Sequence, residues 1–120
     1  MAKVKVIDTK AQLTRSEMIK FQLVMYCHFK KMTLSEAEFN CLTLLGGLGR
    51  YELTEFCTIA ASHNIFKNTQ TVRNCLVNME KKGLILKEGK SKKKVSIHAD
   101  LNLHSNNNVL LSYRVFYIES

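Results

Sequence analysis

The chain has 120 residues, 46% of them hydrophobic and 23% charged, a formal net charge of +8 and no proline. That length suits one globular domain able to bury a core without metal or disulfide staples. The composition excludes a Pro-rich linker, and no stretch approaches the ~20 apolar residues of a membrane span.

Val4 and Val6 alternate with Lys3, Lys5 and Asp8, which predicts a short N-terminal strand. Thr14 and Glu17 form a capping box that opens helix 1. Its apolar residues, among them Met18, Ile19, Phe21, Leu23, Val24, Met25, Tyr26 and Phe29, cover more than one face. That helix is therefore either central to the core or offers one side to a partner subunit. Ser35 and Glu38 make a second box. Phe39, Leu42 and Leu45 follow at helical spacing, and helix 2 is expected to stop at Gly46-Gly47. Leu53, Phe56, Cys57 and Ala60 predict helix 3 from near Glu52, broken by Ser62-His63-Asn64.

Asn68 or Thr69 caps helix 4, expected over about 68–82. Val72, Cys75, Leu76 and Met79 share its inner face, with Gln70, Arg73, Asn74, Val77 and Lys81 opposite. Gly83 ends the helix, Leu84-Ile85-Leu86 begins a strand, and Glu88-Gly89-Lys90-Ser91 turns it. Val95, Ile97, Ala99, Leu101 and Leu103 then alternate with polar residues, which predicts a second strand across that whole stretch. A loop at 105–108 leads to a last strand over 109–118, rich in β-branched and aromatic residues. No repeat or domain boundary interrupts residues 1–120.

Cys27, Cys41, Cys57 and Cys75 are far apart, with no C-x-x-C pair. They read as small buried hydrophobes in a reducing compartment rather than zinc ligands. His28, His63, His98 and His104 are scattered and read as surface residues, though His98 and His104 lie close enough to meet near a strand end. No metal or cofactor is expected. The Lys-rich start lacks the apolar run of a signal peptide, so the expectation is a soluble, cytoplasmic protein with no membrane partner.

The charge is concentrated. Lys67, Arg73, Lys81, Lys82, Lys87, Lys90, Lys92, Lys93 and Lys94 are opposed in their segment only by Glu80 and Glu88, so nearly all of the net charge falls there. A patch of that kind suits a polyanion. As a bare composition it also suits a solubilising face.

Three stretches, "LSEAEFNCLTLLG" at 34–46, "ELTEFCTIA" at 52–60 and "TVRNCLVNMEKKGLILKEGKSKKKVSI" at 71–97, carry a resemblance. Together they resemble the winged helix-turn-helix family, in particular its MarR-like branch. The resemblance spans residues 34–97, with the first strand, helix 1 and the C-terminal strands as extensions. It implies an α+β fold, mainly helical, with a basic β-hairpin wing, to which the residues at 109–118 add a C-terminal strand. The segment 62–68 is longer than the family's tight turn, and the chain ends in strands where the family ends in dimerising helices.

The resemblance also implies a DNA-binding protein, a transcriptional regulator with double-stranded DNA as partner. Thr69, Gln70, Arg73 and Asn74 lie early in the helix that would enter the major groove. Arg73 suits a bidentate contact to guanine, and Gln70 and Asn74 suit adenine. Lys67, Lys90, Lys92, Lys93 and Lys94 suit phosphates, which they would meet as point charges without reading sequence. No phosphate loop, carboxylate pair or nucleophile triad stands out, so no enzyme is expected; Gly46-Gly47-Leu48-Gly49 lacks the following Lys-Ser/Thr. The residues leave open a second class, a winged-helix structural or adaptor protein in an assembly, viral or phage assemblies included. The many-sided apolar helix 1 and the 109–118 strand favour protein partners, and both readings expect a homo-oligomer.

Overall fold

A computed structural model describes residues 3–90, 93–101 and 109–119. It is an α+β fold with the order β1 (Lys3–Leu13), α1 (Arg15–Phe29), α2 (Glu36–Leu48), β2 (Tyr51–Glu52), α3 (Leu53–Ser62), α4 (Thr69–Lys81), β3 (Ile85–Glu88), β4 (Lys94–Ile97) and β5 (Val109–Glu119). Strands β2, β4 and β3 form a three-stranded antiparallel sheet in that order, and β1 pairs antiparallel with β5 in a separate ribbon.

Local signals set the helix starts. Both capping boxes are made: Glu17 N–H donates to Thr14 Oγ1 at 3.1 Å and Thr14 N–H to the Glu17 carboxylate at 3.0 Å. The Ser35–Glu38 box repeats the pattern at 3.1 and 2.8 Å. Asn68 caps α4, its side chain accepting from Thr71 N–H at 2.9 Å. These bonds satisfy backbone donors that the first turn leaves free.

The ends of α1, α3 and α4 share one device. After α4, Gly83 N–H donates to Glu80 C=O and Leu84 N–H to Met79 C=O, both at 3.0 Å. That pair of hydrogen bonds needs a left-handed residue, which Gly83 supplies at φ 77°. The same pair of bonds closes α1 through Lys31 and α3 through Asn64, at φ 58° and 59°. In α4 the motif also drives Leu84 back against Met79, both fully buried.

Helix α2 runs through Gly46-Gly47 to Leu48 rather than stopping there. Two glycines weaken a helix by roughly 1 kcal/mol each relative to alanine, but Cys41, Leu42 and Leu45 seat it in the core. The turn comes at Gly49, with φ 82°. The second hairpin strand stops at Ile97 instead of running on to Leu101 and beyond. His98 N–H still reaches Leu84 C=O at 2.9 Å, and there the partner strand gives out. A single 3-10 turn, Ala99–Leu101, then returns Leu101 to the core. Leu103, His104 and the loop at 105–108 lie outside the described residues. The first strand is longer than its sequence signal, because all eleven of its residues pair with β5.

The core joins all four helices to the sheet: Ile19 and Leu23 from α1, Leu42 and Leu45 from α2, Phe56 from α3, Val72, Leu76 and Met79 from α4, and Ile85 and Val95 from the hairpin. The four cysteines are buried free thiols. Cys41 and Cys75 share a hydrogen bond, which together with burial pushes the Cys41 thiol up. Outside this core the β1–β5 ribbon lengthens the molecule to 61 Å along its major axis. The radius of gyration, 17.1 Å, exceeds the about 14 Å of a compact chain of this size.

Adjacent positions on α4 test the packing. Leu76→Ala should lower the unfolding free energy by about 2–5 kcal/mol through the cavity it leaves. Val77→Ala, on the outer face, should change it by no more than about 0.5 kcal/mol. Urea denaturation of both variants checks this, and similar losses at the two positions would contradict the packing described.

Candidate nucleic-acid interface

The hairpin, α3 and α4 meet at residues 51–54. Tyr51 and Glu52 pair with Val95 and Lys94, and Leu53 N–H donates to Lys93 C=O at 2.7 Å. Glu52 then caps α3, its carboxylate accepting from Thr54 N–H at 3.0 Å and Glu55 N–H at 2.9 Å. Two residues on from Glu52, Thr54 Oγ1 accepts from Arg73 Nη2 at 3.0 Å. The first turn of α3 thus holds the hairpin on one side and α4 on the other. An ion pair between Arg50 and Glu88, at 3.5 Å, ties the approach to β2 to the end of β3.

The backbone donors of Glu55 and Thr54 hold the Glu52 carboxyl below its ordinary pKa, and the nearby Lys94 adds to this.

Each residue expected at the site, Lys92 excepted, has a place. Lys67 is exposed just before the Asn68 cap, and Thr69 is exposed as the first residue of α4. Gln70 and Asn74 are exposed and joined, Gln70 Nε2 donating to Asn74 Oδ1 at 3.0 Å. Arg73 is half-buried and turned onto Thr54. Lys90 sits in the hairpin turn, Lys93 precedes β4 and Lys94 begins it, all three exposed. Lys92 lies outside the described residues. The structure therefore brings Lys93, Lys94 and Arg73 together around the start of α3, while Lys67 marks the other approach to α4.

The positive segment is sorted by its own contacts. Lys87 is only 13% exposed and lies 3.8 Å from Glu80. Lys82 reaches Thr33 C=O at 3.4 Å. Glu80 and Glu88, the two acids of the segment, are both engaged by cations. Lys67, Lys81, Lys90 and Lys93 stay exposed, with no side-chain partner among the described residues.

Two features enlarge the sequence-derived site. Val77 is 39% exposed one turn beyond Asn74; its angular position on α4 already put it there. Thr54 carries no such signal, since its partner Arg73 is 19 residues away. The connection between α3 and α4 is packed rather than loose, with Ile65 and Phe66 resting against the core.

Among the described residues no helix is long and apolar enough to cross a membrane, and no group of three or more His, Cys, Asp or Glu is arranged to hold a metal ion. Compared with known proteins, the chain matches no family model, and no curated protein or solved structure is significantly similar to it.

The Glu52 cap gives a pH signature. Its folded pKa is depressed, so the stability it contributes is present in full above the ordinary glutamate value of 4.5 and is lost as pH falls through the folded value. The gap in urea midpoint between wild type and Glu52→Gln should therefore be constant near neutral pH and close in acid. A gap that widens below 4.5 would contradict the cap.

Proposed function

We propose that this chain is a DNA-binding protein of winged helix-turn-helix form, one domain acting as a transcriptional regulator. In this reading α4 enters the major groove and the β3–β4 hairpin is a wing whose lysines contact phosphates. The observation that carries it is the sorting of charge around α4. The two carboxylates that oppose the basic segment are engaged by Arg50 and Lys87, and Lys67, Lys81, Lys90 and Lys93 are left facing outward. An uncompensated cationic surface around an open helix complements a duplex backbone. The order of helices followed by a basic hairpin supports the same reading, as does the junction that fixes the hairpin relative to α4.

Titration against several duplexes over a salt series tests it. Lys90, Lys93 and Lys94 changed together to alanine should weaken binding to all sequences alike. The slope of log K against log salt should fall by about 0.9 for each phosphate no longer neutralised. Wild-type protein without duplex affinity at low salt would overturn the reading.

A second reading, a module of a protein assembly, is favoured by one set of observations. Phe21, Val24 and Phe29 are exposed on α1, and Val6, Phe116 and Ile118 on the ribbon, where Ile118 reaches 70%. A two-stranded ribbon has little stability of its own in water, and covering its exposed apolar side chains by association between copies stabilises it. It is compatible with DNA binding, because regulators commonly act as symmetric dimers. Sedimentation at tens of micromolar should show a dimer or larger species, and Phe116→Ser with Ile118→Ser should shift it toward monomer. A wild-type monomer at high micromolar concentration would remove this reading.

A further inference from the structure

The outer row of α4 has a chemistry of its own. Gln70, Asn74 and Val77 follow one another along the helix, away from the buried Val72, Cys75, Leu76 and Met79. The bond from Gln70 Nε2 to Asn74 Oδ1, at 3.0 Å, holds the two amides side by side. It leaves Gln70 Oε1 as an acceptor and Asn74 Nδ2 as a donor, both on the outer row. Val77 adds a branched aliphatic surface beside them. Arg73, the one cation of α4 before its last turn, is engaged by Thr54 on the neighbouring helix.

We propose that α4 selects A·T pairs, with Gln70 and Asn74 reading adenine and Val77 meeting the thymine methyl, while Arg73 acts as a positioning residue. The proposal rests on the DNA-binding reading above. Adenine shows the major groove an acceptor at N7 and a donor at N6, which the free amide donor and acceptor of this row complement. Guanine shows two acceptors, N7 and O6, and calls for the two parallel donors of a free guanidinium. The held Gln70 carbonyl would face guanine O6 acceptor to acceptor. Thymine carries a C5 methyl in the same groove, and an exposed valine gives it an apolar contact. The row lies between Lys67 ahead of α4 and Lys81 in its last turn, about 20 Å apart along the helix axis. Cations at both ends complement the phosphates on either side of the groove. The bond from Arg73 to Thr54 fixes α4 against α3, so that the row is presented in one orientation.

The test is selection by the full chain from a randomised duplex library, followed by titrations on the selected and a scrambled duplex. Adjacent A·T pairs should be enriched. Gln70→Ala and Asn74→Ala should each cut the preference for the selected over the scrambled duplex by about fivefold to a hundredfold. Uracil in place of thymine removes only the C5 methyl. It should lower wild-type affinity by about fourfold and leave Val77→Ala unaffected. Arg73→Ala should weaken selected and scrambled binding alike, whereas loss of base preference through Arg73→Ala alone would assign the reading to the arginine and overturn the proposal. A selected site built on guanine would overturn it, as would an A·T preference that survives both amide variants, which would mark readout of DNA shape. In all these failures scrambled-duplex binding persists. Absence of any duplex affinity overturns the DNA-binding reading and this proposal together.

Discussion

The four residues from Tyr51 to Thr54 set the relation between the hairpin and α4. A hairpin of two four-residue strands has little stability of its own. Pairing with Tyr51 and Glu52 makes β4 a central strand, and burial of Ile85 and Val95 fastens the sheet to the helices. Leu53 then holds Lys93 through the backbone, and Thr54 holds Arg73 through its hydroxyl. Successive residues of one chain segment thus contact two elements that are distant in sequence. The placing of Lys93 and Lys94 at the start of α3, where Arg73 of α4 also reaches, follows from that segment.

Much of the helical part is legible in the sequence, because its determinants act over three or four residues. The Thr14–Glu17 and Ser35–Glu38 boxes and the Asn68 cap are such signals, as is the inward row of Val72, Cys75, Leu76 and Met79. What escapes is set by distant partners. Tyr51-Glu52 has no strand signature, and it becomes a strand because β4 lies alongside it. The period-2 pattern through Val95, Ile97, Ala99 and Leu101 persists in the sequence after the partner strand has ended, and from Ala99 the chain turns back into the core. Gly46-Gly47 reads as a stop because its intrinsic helix propensity is low, but packing of Leu42 and Leu45 outweighs it. At the candidate site, the exposed polar face of α4 can be read from angular position. The engagement of Arg73 by Thr54 cannot, since it depends on how α3 and α4 cross.

The surface divides its chemistry between two regions. Around α4 and the hairpin it is cationic and polar, with Val77 the one large hydrophobic exposed within α4. On α1 and the ribbon, large apolar side chains stand in solvent, from Val24 at 39% to Phe29 at 75%. Helix α1 is apolar both where Ile19, Leu23 and Cys27 enter the core and where Phe21 and Val24 leave it. One apolar face is what a surface helix needs to fold; the second marks a place where the chain gains by covering.

The pairing of β1 with β5 also has a kinetic side. Leu13 and Val109 are the closest of their partners along the chain, and joining them closes a loop of about 95 residues at an entropic cost of about 4 kcal/mol. The helices and the hairpin form through shorter loops, so the ribbon zips last, after the folded body has brought its strand ends together. During synthesis at about 5–20 residues per second, β1 emerges about 5–20 seconds before β5 exists to cover its edge. For that interval an extended segment rich in strand-forming residues is open to pairing with other nascent chains, and the lysines at positions 3, 5 and 10 are its protection.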